Sequence, residues 1–132
     1  MTFIGSRYIA QALKVNKTLR VLSLTLNRIE DKAGSKLCND LMTSKNVVEE
    51  LNLSGNSLGH LFCESLTTLL LQNKFIRKLD ISCNFIDKKN AATLKDSLSN
   101  NTMITELDIR NNKIEDGTVI FLSLTMYRAR RG

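Results

Sequence analysis

Apolar residues recur along this chain in six fixed columns, with a period of 28 to 29 residues. The segments "LRVLSLTLNRI" (19–29), "VEELNLSGNSL" (48–58), "IRKLDISCNFI" (76–86) and "ITELDIRNNKI" (104–114) align on one Asn each, at Asn27, Asn56, Asn84 and Asn112. Counted from that Asn, positions −8, −5, −3, +2, +10 and +14 are apolar in every repeat, 24 of 24 in a chain that is 42% hydrophobic. The third repeat is typical, with Ile76, Leu79, Ile81, Ile86, Leu94 and Leu98. A regular period in this range marks stacked supersecondary units.

Each column has a physical meaning. Positions −5 and −3 alternate, so both point inward from one short strand. Positions +10 and +14 are four apart and form one stripe on a helix. Each repeat is then strand, turn, helix and return. The predicted helices fall near 4–15, 31–44, 60–73, 88–99 and 116–129. The first belongs to a leading half repeat, with Ile9 and Leu13 in the helical columns. No single repeat can bury its own apolar face, so neighbours must stack. The fold class that follows is α/β: a solenoid of about four parallel strands on a concave face and five helices on the convex face, a right-handed β-α superhelix. The repeats run about 17–45, 46–73, 74–101 and 102–132 after a half repeat at 1–16, within a single domain.

The Asn sits where the chain leaves the strand and turns inward. There its amide offers two donors and one acceptor to backbone groups that the strand ladder does not reach. Asn27, Asn56, Asn84 and Asn112 are expected to form a structural ladder along the solenoid. Asp31 and Asp116 stand at expected helix N-caps. His60 and Lys88 replace them in the middle repeats, which predicts weaker caps there.

These features resemble the ribonuclease-inhibitor type of leucine-rich repeat, with its long unit and true helix. The pattern N-x-I-x-D, then small residues and L-x-x-x-L, is clearest from Asn27 to Leu41 and from Asn112 to Met126. That type occurs in ribonuclease inhibitor, NOD-like receptor arrays, a Ran GTPase-activating protein and axonemal leucine-rich-repeat proteins. The resemblance implies a curved parallel sheet lining a protein-binding surface. Known members carry more repeats and dedicated caps. Met1 falls where a preceding repeat would place an apolar residue, and "MYRARRG" stops within a helical pattern. Both ends look cut, so a fragment, a short isoform or a piece docking on another chain is expected, with an unpaired edge at the first strand.

Composition narrows the function. The chain of 132 residues suits one modest core. Three Cys without paired spacing fit a reducing compartment. Neither a signal peptide nor a spanning segment is legible, so a cytoplasmic location is expected, with cilium or cytoskeleton as the alternative. The net charge of +6 raises nucleic acid or an acidic membrane as partners. Yet the outward strand columns carry Val21, Ser23 and Thr25; Glu50, Asn52 and Ser54; Lys78, Asp80 and Ser82; and Glu106, Asp108 and Arg110. That face has four acids against two bases, and it lacks the aromatics of single-strand binders. The positive charge falls on helices and ends. No nucleic-acid or membrane partner is expected.

No constellation for catalysis, metal or cofactor is legible. His60 is the only His. Cys63 fits a small buried column, Cys38 reads as partly buried, and Cys83 at the strand exit reads as exposed. The expected function is a non-enzymatic interaction module that binds a protein partner, one with a basic segment, within or outside a larger complex. Its binding residues are expected to be Glu50, Asn52, Lys78, Asp80, Ser82, Glu106, Asp108 and Arg110. The rivals are a structural subunit of a cytoskeletal or axonemal assembly and a GTPase-activating regulator.

Overall fold

The computed structural model describes residues 3–115. Four helices alternate with four short strands: α1 (Phe3–Val15), β1 (Val21–Ser23), α2 (Glu30–Thr43), β2 (Glu50–Asn52), α3 (His60–Gln72), β3 (Lys78–Asp80), α4 (Lys88–Asn100) and β4 (Glu106–Asp108). The strands form one parallel sheet in sequence order. Their register follows the repeat, since Leu22 pairs with Leu51, Leu51 with Leu79 and Leu79 with Leu107. The helix expected over 116–129, with Asp116, Leu122 and Met126, lies outside the described residues.

Apolar columns from strands and helices meet in one core between the sheet and the helices. Leu53, Leu58, Phe62, Leu66, Ile76 and Ile86 are fully buried at its centre. Leu19 departs from its column: it is 36% exposed, while Val48, Ile76 and Ile104 at the same position are buried. Among the described residues, no strand covers the outer side of β1, so Leu19 has no neighbour to pack against on that side. Cys38 also differs from expectation and is fully buried, because α2 packs closely on α3. Gly34 permits that approach, since a Cβ there would run into the Leu58 side chain and lie 3.3 Å from Phe62.

The strands are only three residues long, yet their ladder continues beyond them. Leu24, Leu53 and Ile81 donate to the carbonyls of Asn52, Asp80 and Asp108, and Leu26, Gly55 and Cys83 donate to those of Ser54, Ser82 and Arg110. The residue just before each ladder Asn adopts a left-handed conformation, with φ of 57° at Leu26, 69° at Gly55, 56° at Cys83 and 56° at Asn111. This kink swings the following Asn inward. Gly and Asn tolerate it, while Leu26 and Cys83 carry strain of about 1–2 kcal/mol each. Cys83→Gly relieves that strain at a smaller opposing cost from the backbone entropy it adds to the unfolded chain, so it is expected to stabilise by about 0.5–1 kcal/mol net. A urea midpoint at or below that of the native chain would contradict this.

Helix caps differ from expectation. Asp31 does not cap its own helix, because α2 begins at Glu30 without a side-chain cap. Its carboxylate reaches across to the next repeat, where it accepts from the backbone N–H of Gly59 (2.9 Å), Leu61 (2.9 Å) and Phe62 (2.8 Å). It therefore caps α3, whose own N-terminal residues, Gly59 and His60, provide no side-chain cap. The start of α4 is not weakly capped either. Asp87 lies one residue before Lys88 and accepts from the Asn90 N–H at 2.9 Å.

Candidate functional site

The concave face is built from three rows of outward side chains set in register by the ladder. The row at −6 is Val21, Glu50, Lys78 and Glu106. Lys78 stands between the two glutamates, 3.5 Å from Glu50 and 3.7 Å from Glu106. All three side chains are about half exposed or more, so the pairing is loose and screened.

The next row is Ser23, Asn52, Asp80 and Asp108. Three of these fold back on their own strand exits. Asn52, Asp80 and Asp108 each accept from the backbone N–H two residues on, at 3.0, 3.0 and 3.1 Å. Asp108 also holds the Arg110 guanidinium, with Nε at 3.1 Å and an Nη at 2.8 Å. These hydrogen bonds from Arg110 hold the Asp108 carboxyl below the usual carboxylate range, against a smaller opposing effect of burial.

The third row is Thr25, Ser54, Ser82 and Arg110. Ser82 is buried rather than open to solvent. Its hydroxyl donates to Asp80 at 2.6 Å and lies 2.9 Å from the Ser54 hydroxyl. Of the eight expected binding residues, Glu50, Lys78, Glu106 and Arg110 are therefore the most available. Asn52, Asp80, Ser82 and Asp108 spend part of their capacity on the scaffold.

Beneath this face runs the Asn column. Asn84 Oδ1 accepts from the backbone N–H of Asn56 (2.9 Å) and Leu58 (3.0 Å). Its amide donates to the carbonyls of Leu53, Ile81 and Ser82. Asn56 repeats this with the N–H of Asn27 and Ile29 and the carbonyls of Leu24, Leu53 and Ser54. Asn112 accepts from Ile86 and donates to Ile81, Ile109 and Arg110. Asn27, at the free side of β1, donates to Thr25.

Two features escaped the sequence reading. Exposed Leu26 and Phe85 stand at the strand exits beside the concave rows, and Lys113 lies over the Phe85 ring at 5.1 Å. Their signal was an apolar residue outside the six inward columns. A second Asn set also holds the opposite turns. Asn16, Asn73 and Asn101 each accept two backbone N–H groups two and three residues on, and Asn46 joins the set one position displaced.

Comparison with known proteins fits this geometry. Family models described as leucine-rich repeat match residues 15–38, 48–73 and 100–123, together more than half of the chain. The Sus scrofa ribonuclease inhibitor is 31% identical over 84 residues, covering 64% of this chain and 18% of that protein. The Homo sapiens NACHT, LRR and PYD domains-containing protein 12 is 37% identical over 76 residues, covering 58% of this chain and 7% of that protein. The chain is a leucine-rich repeat protein of the ribonuclease-inhibitor type. It spans less than a fifth of the length of either relative. Among solved structures, leiomodin-1 actin-binding site 2 superposes with a TM-score of 0.78 at 18% identity, covering 95% of this chain and 72% of that one. The C-terminal domain of a Caenorhabditis elegans tropomodulin gives 0.63 at 11% identity, covering 96% and 93%. Both share the fold.

Among the described residues, no group of three or more His, Cys, Asp or Glu could hold a metal ion. His60 Nε2 lies 3.0 Å from Glu64, and its Nδ1 lies 3.1 Å from the Asn90 amide nitrogen, so the ring ties α3 to α4. Burial pushes the Cys63 thiol up to about 12 and the Cys38 thiol higher still, which leaves both protonated and unreactive. Cys83 is exposed. No helix among the described residues is long and apolar enough to cross a membrane.

Proposed function

We propose that the chain acts as a single leucine-rich repeat domain, without enzymatic activity, that binds a protein partner through its concave strand face. The observation that carries this reading is the in-register placement of Glu50, Lys78 and Glu106 on three adjacent strands, with Arg110 two residues past the end of β4. They are held over a rigid Asn-laddered scaffold, so little ordering is lost on binding. Leu26 and Phe85 supply apolar anchors at the rim, which the rows themselves lack. The uneven pairing of one Lys with two Glu leaves a local acidic excess that favours a basic segment of the partner.

The test uses Glu50→Lys with Glu106→Lys, because neither side chain holds the backbone. The pair is expected to fold like the native chain, to lose the partner captured by the native bait from extract and to lose its crosslinks to the strands. Retention of the same partner by both baits would move binding to the helices or the edges, which favours the alternative of a cytoskeletal scaffold subunit. Leiomodin-1 is named for an actin-binding site, so filamentous actin is the first defined partner to assay by cosedimentation.

A further inference from the structure

We propose a second protein-binding site on the opposite edge of the solenoid, a cleft between successive loops that takes a bulky apolar side chain from an acidic peptide segment. This site lies apart from the concave face and goes beyond the function proposed for it.

The cleft opens where α2 and α3 end and their chains turn toward β2 and β3. Its volume is about 390 Å³. Leu41, Met42, Val47, Leu69 and Phe75 supply apolar walls, and Lys45 and Lys74 stand among the lining residues. Phe75 is 45% exposed, although Leu41 and Leu69 beside it in the lining are buried. An aromatic ring left half open beside a concave apolar wall suits an incoming side chain.

The charge around it has one sign. Lys45 and Lys74 make no ion pair among the described residues, and neither do Arg77 in the same turn as Lys74 or Lys17 in the turn after α1. Glu49 is the one nearby acid on these turns and is bonded to Arg20 at 2.7 Å. Cations at helix C-termini complement the helix dipole, which accounts for some of this charge. The dipole does not account for the apolar cleft between the cations. Apolar wall and unpaired cations together select a ligand that is apolar in the middle and acidic on its flanks.

The loops are also set before any ligand arrives. Asn46 donates to the Leu41 carbonyl at 2.8 Å, and Asn73 accepts from Phe75 at 2.8 Å and Ile76 at 2.7 Å. A preformed wall lowers the ordering cost of binding. A recess with a single aromatic fits a side chain better than a lipid surface, which needs protruding apolar residues, or single-stranded RNA, which needs a run of stacking rings.

The experiment titrates the full chain with a fluorescent peptide of Glu and Ser around a central Leu-Phe pair, and maps the amide shifts by NMR. Saturable binding is expected, with shifts confined to 41–47 and 69–75. Replacing the central pair by Ser-Ser is expected to weaken binding about tenfold or more, given the apolar area buried. The chain with Lys45→Glu and Lys74→Glu is expected to keep its urea midpoint and to lose about tenfold in affinity. The chain with Glu50→Lys and Glu106→Lys is expected to bind the peptide undiminished, which separates this site from the concave one. Any of four results would overturn the proposal: no saturable binding, equal binding of the Ser-Ser peptide, shifts centred on the strands, or tighter lysine-dependent binding of phosphatidylserine vesicles or oligouridine.

Discussion

Asn84→Ala is expected to destabilise the chain by about 3–5 kcal/mol, a large share of the 5–15 kcal/mol typical of a folded domain. The cost depends on which backbone groups lose their only partner. Three carbonyls lose the Asn84 amide, but each keeps another donor: Leu53 from the Asn56 amide, Ile81 from the Asn112 amide and Ser82 from the Gly55 N–H. The backbone N–H groups of Asn56 and Leu58 bond only to Asn84 Oδ1 and would be buried unpaired. Two such orphans cost about 1–3 kcal/mol each, and the cavity adds to that.

The other Asn residues of the column differ in how many backbone groups depend on them. Asn56→Ala should cost at least as much as Asn84→Ala, since it strands the N–H groups of Asn27 and Ile29 and also removes the donor to the Leu24 carbonyl. Asn112→Ala strands one N–H, that of Ile86, and should cost less. Asn27 makes a single bond to the nearby Thr25 carbonyl and should cost under about 1 kcal/mol. Urea unfolding of the four variants measures the order. Equal losses at Asn27 and Asn84 would show that the bonds between repeats are not what makes the ladder stable.

Asp31→Ala is expected to cost about 2–3 kcal/mol, more than an ordinary N-cap at about 1 kcal/mol, because one carboxylate serves three N–H groups of the next helix. Asp31→Asn keeps one acceptor oxygen and should cost roughly half as much. The discriminating readout is amide exchange. Gly59, Leu61 and Phe62 should exchange faster in Asp31→Ala, while the start of α2 is unchanged. Faster exchange at α2 alone would restore Asp31 as a cap of its own helix. The damage is also expected to spread, since this bond couples α2 to α3, the most extensively packed helix pair among the described residues. Asp87→Ala removes a local cap of α4 and serves as the ordinary comparison.

Much of this was legible in one dimension. The repeat period places strands, helices and register together, because each column serves the same interior again and again. Leu51, Leu79 and Leu107 had to pair once the Asn positions were aligned, and they do. Asn16, Asn73 and Asn101 were missed although each lies 11 residues before its ladder Asn, because that spacing carries no hydrophobic signal. Caps were not legible in the same way. Asp31 is the second residue of α2 and lies 28 residues before Gly59, so proximity in the chain favoured the wrong helix. Nor could the sequence say which acids were spent. Asp80 and Asp108 look as open as Glu50 and Glu106, yet their shorter side chains reach their own strand exits.

The sequence by itself determined the solenoid, its parallel register and the inward Asn column, because burying a periodic apolar face leaves one way to stack. Only the tertiary structure decided what passes between repeats: the Asp31 cap on α3, the exposure of Leu19, the burial of Ser82 and the cleft between Lys45 and Lys74. Those features join residues from different repeats, and their distances are set by how the helices pack rather than by any spacing along the chain.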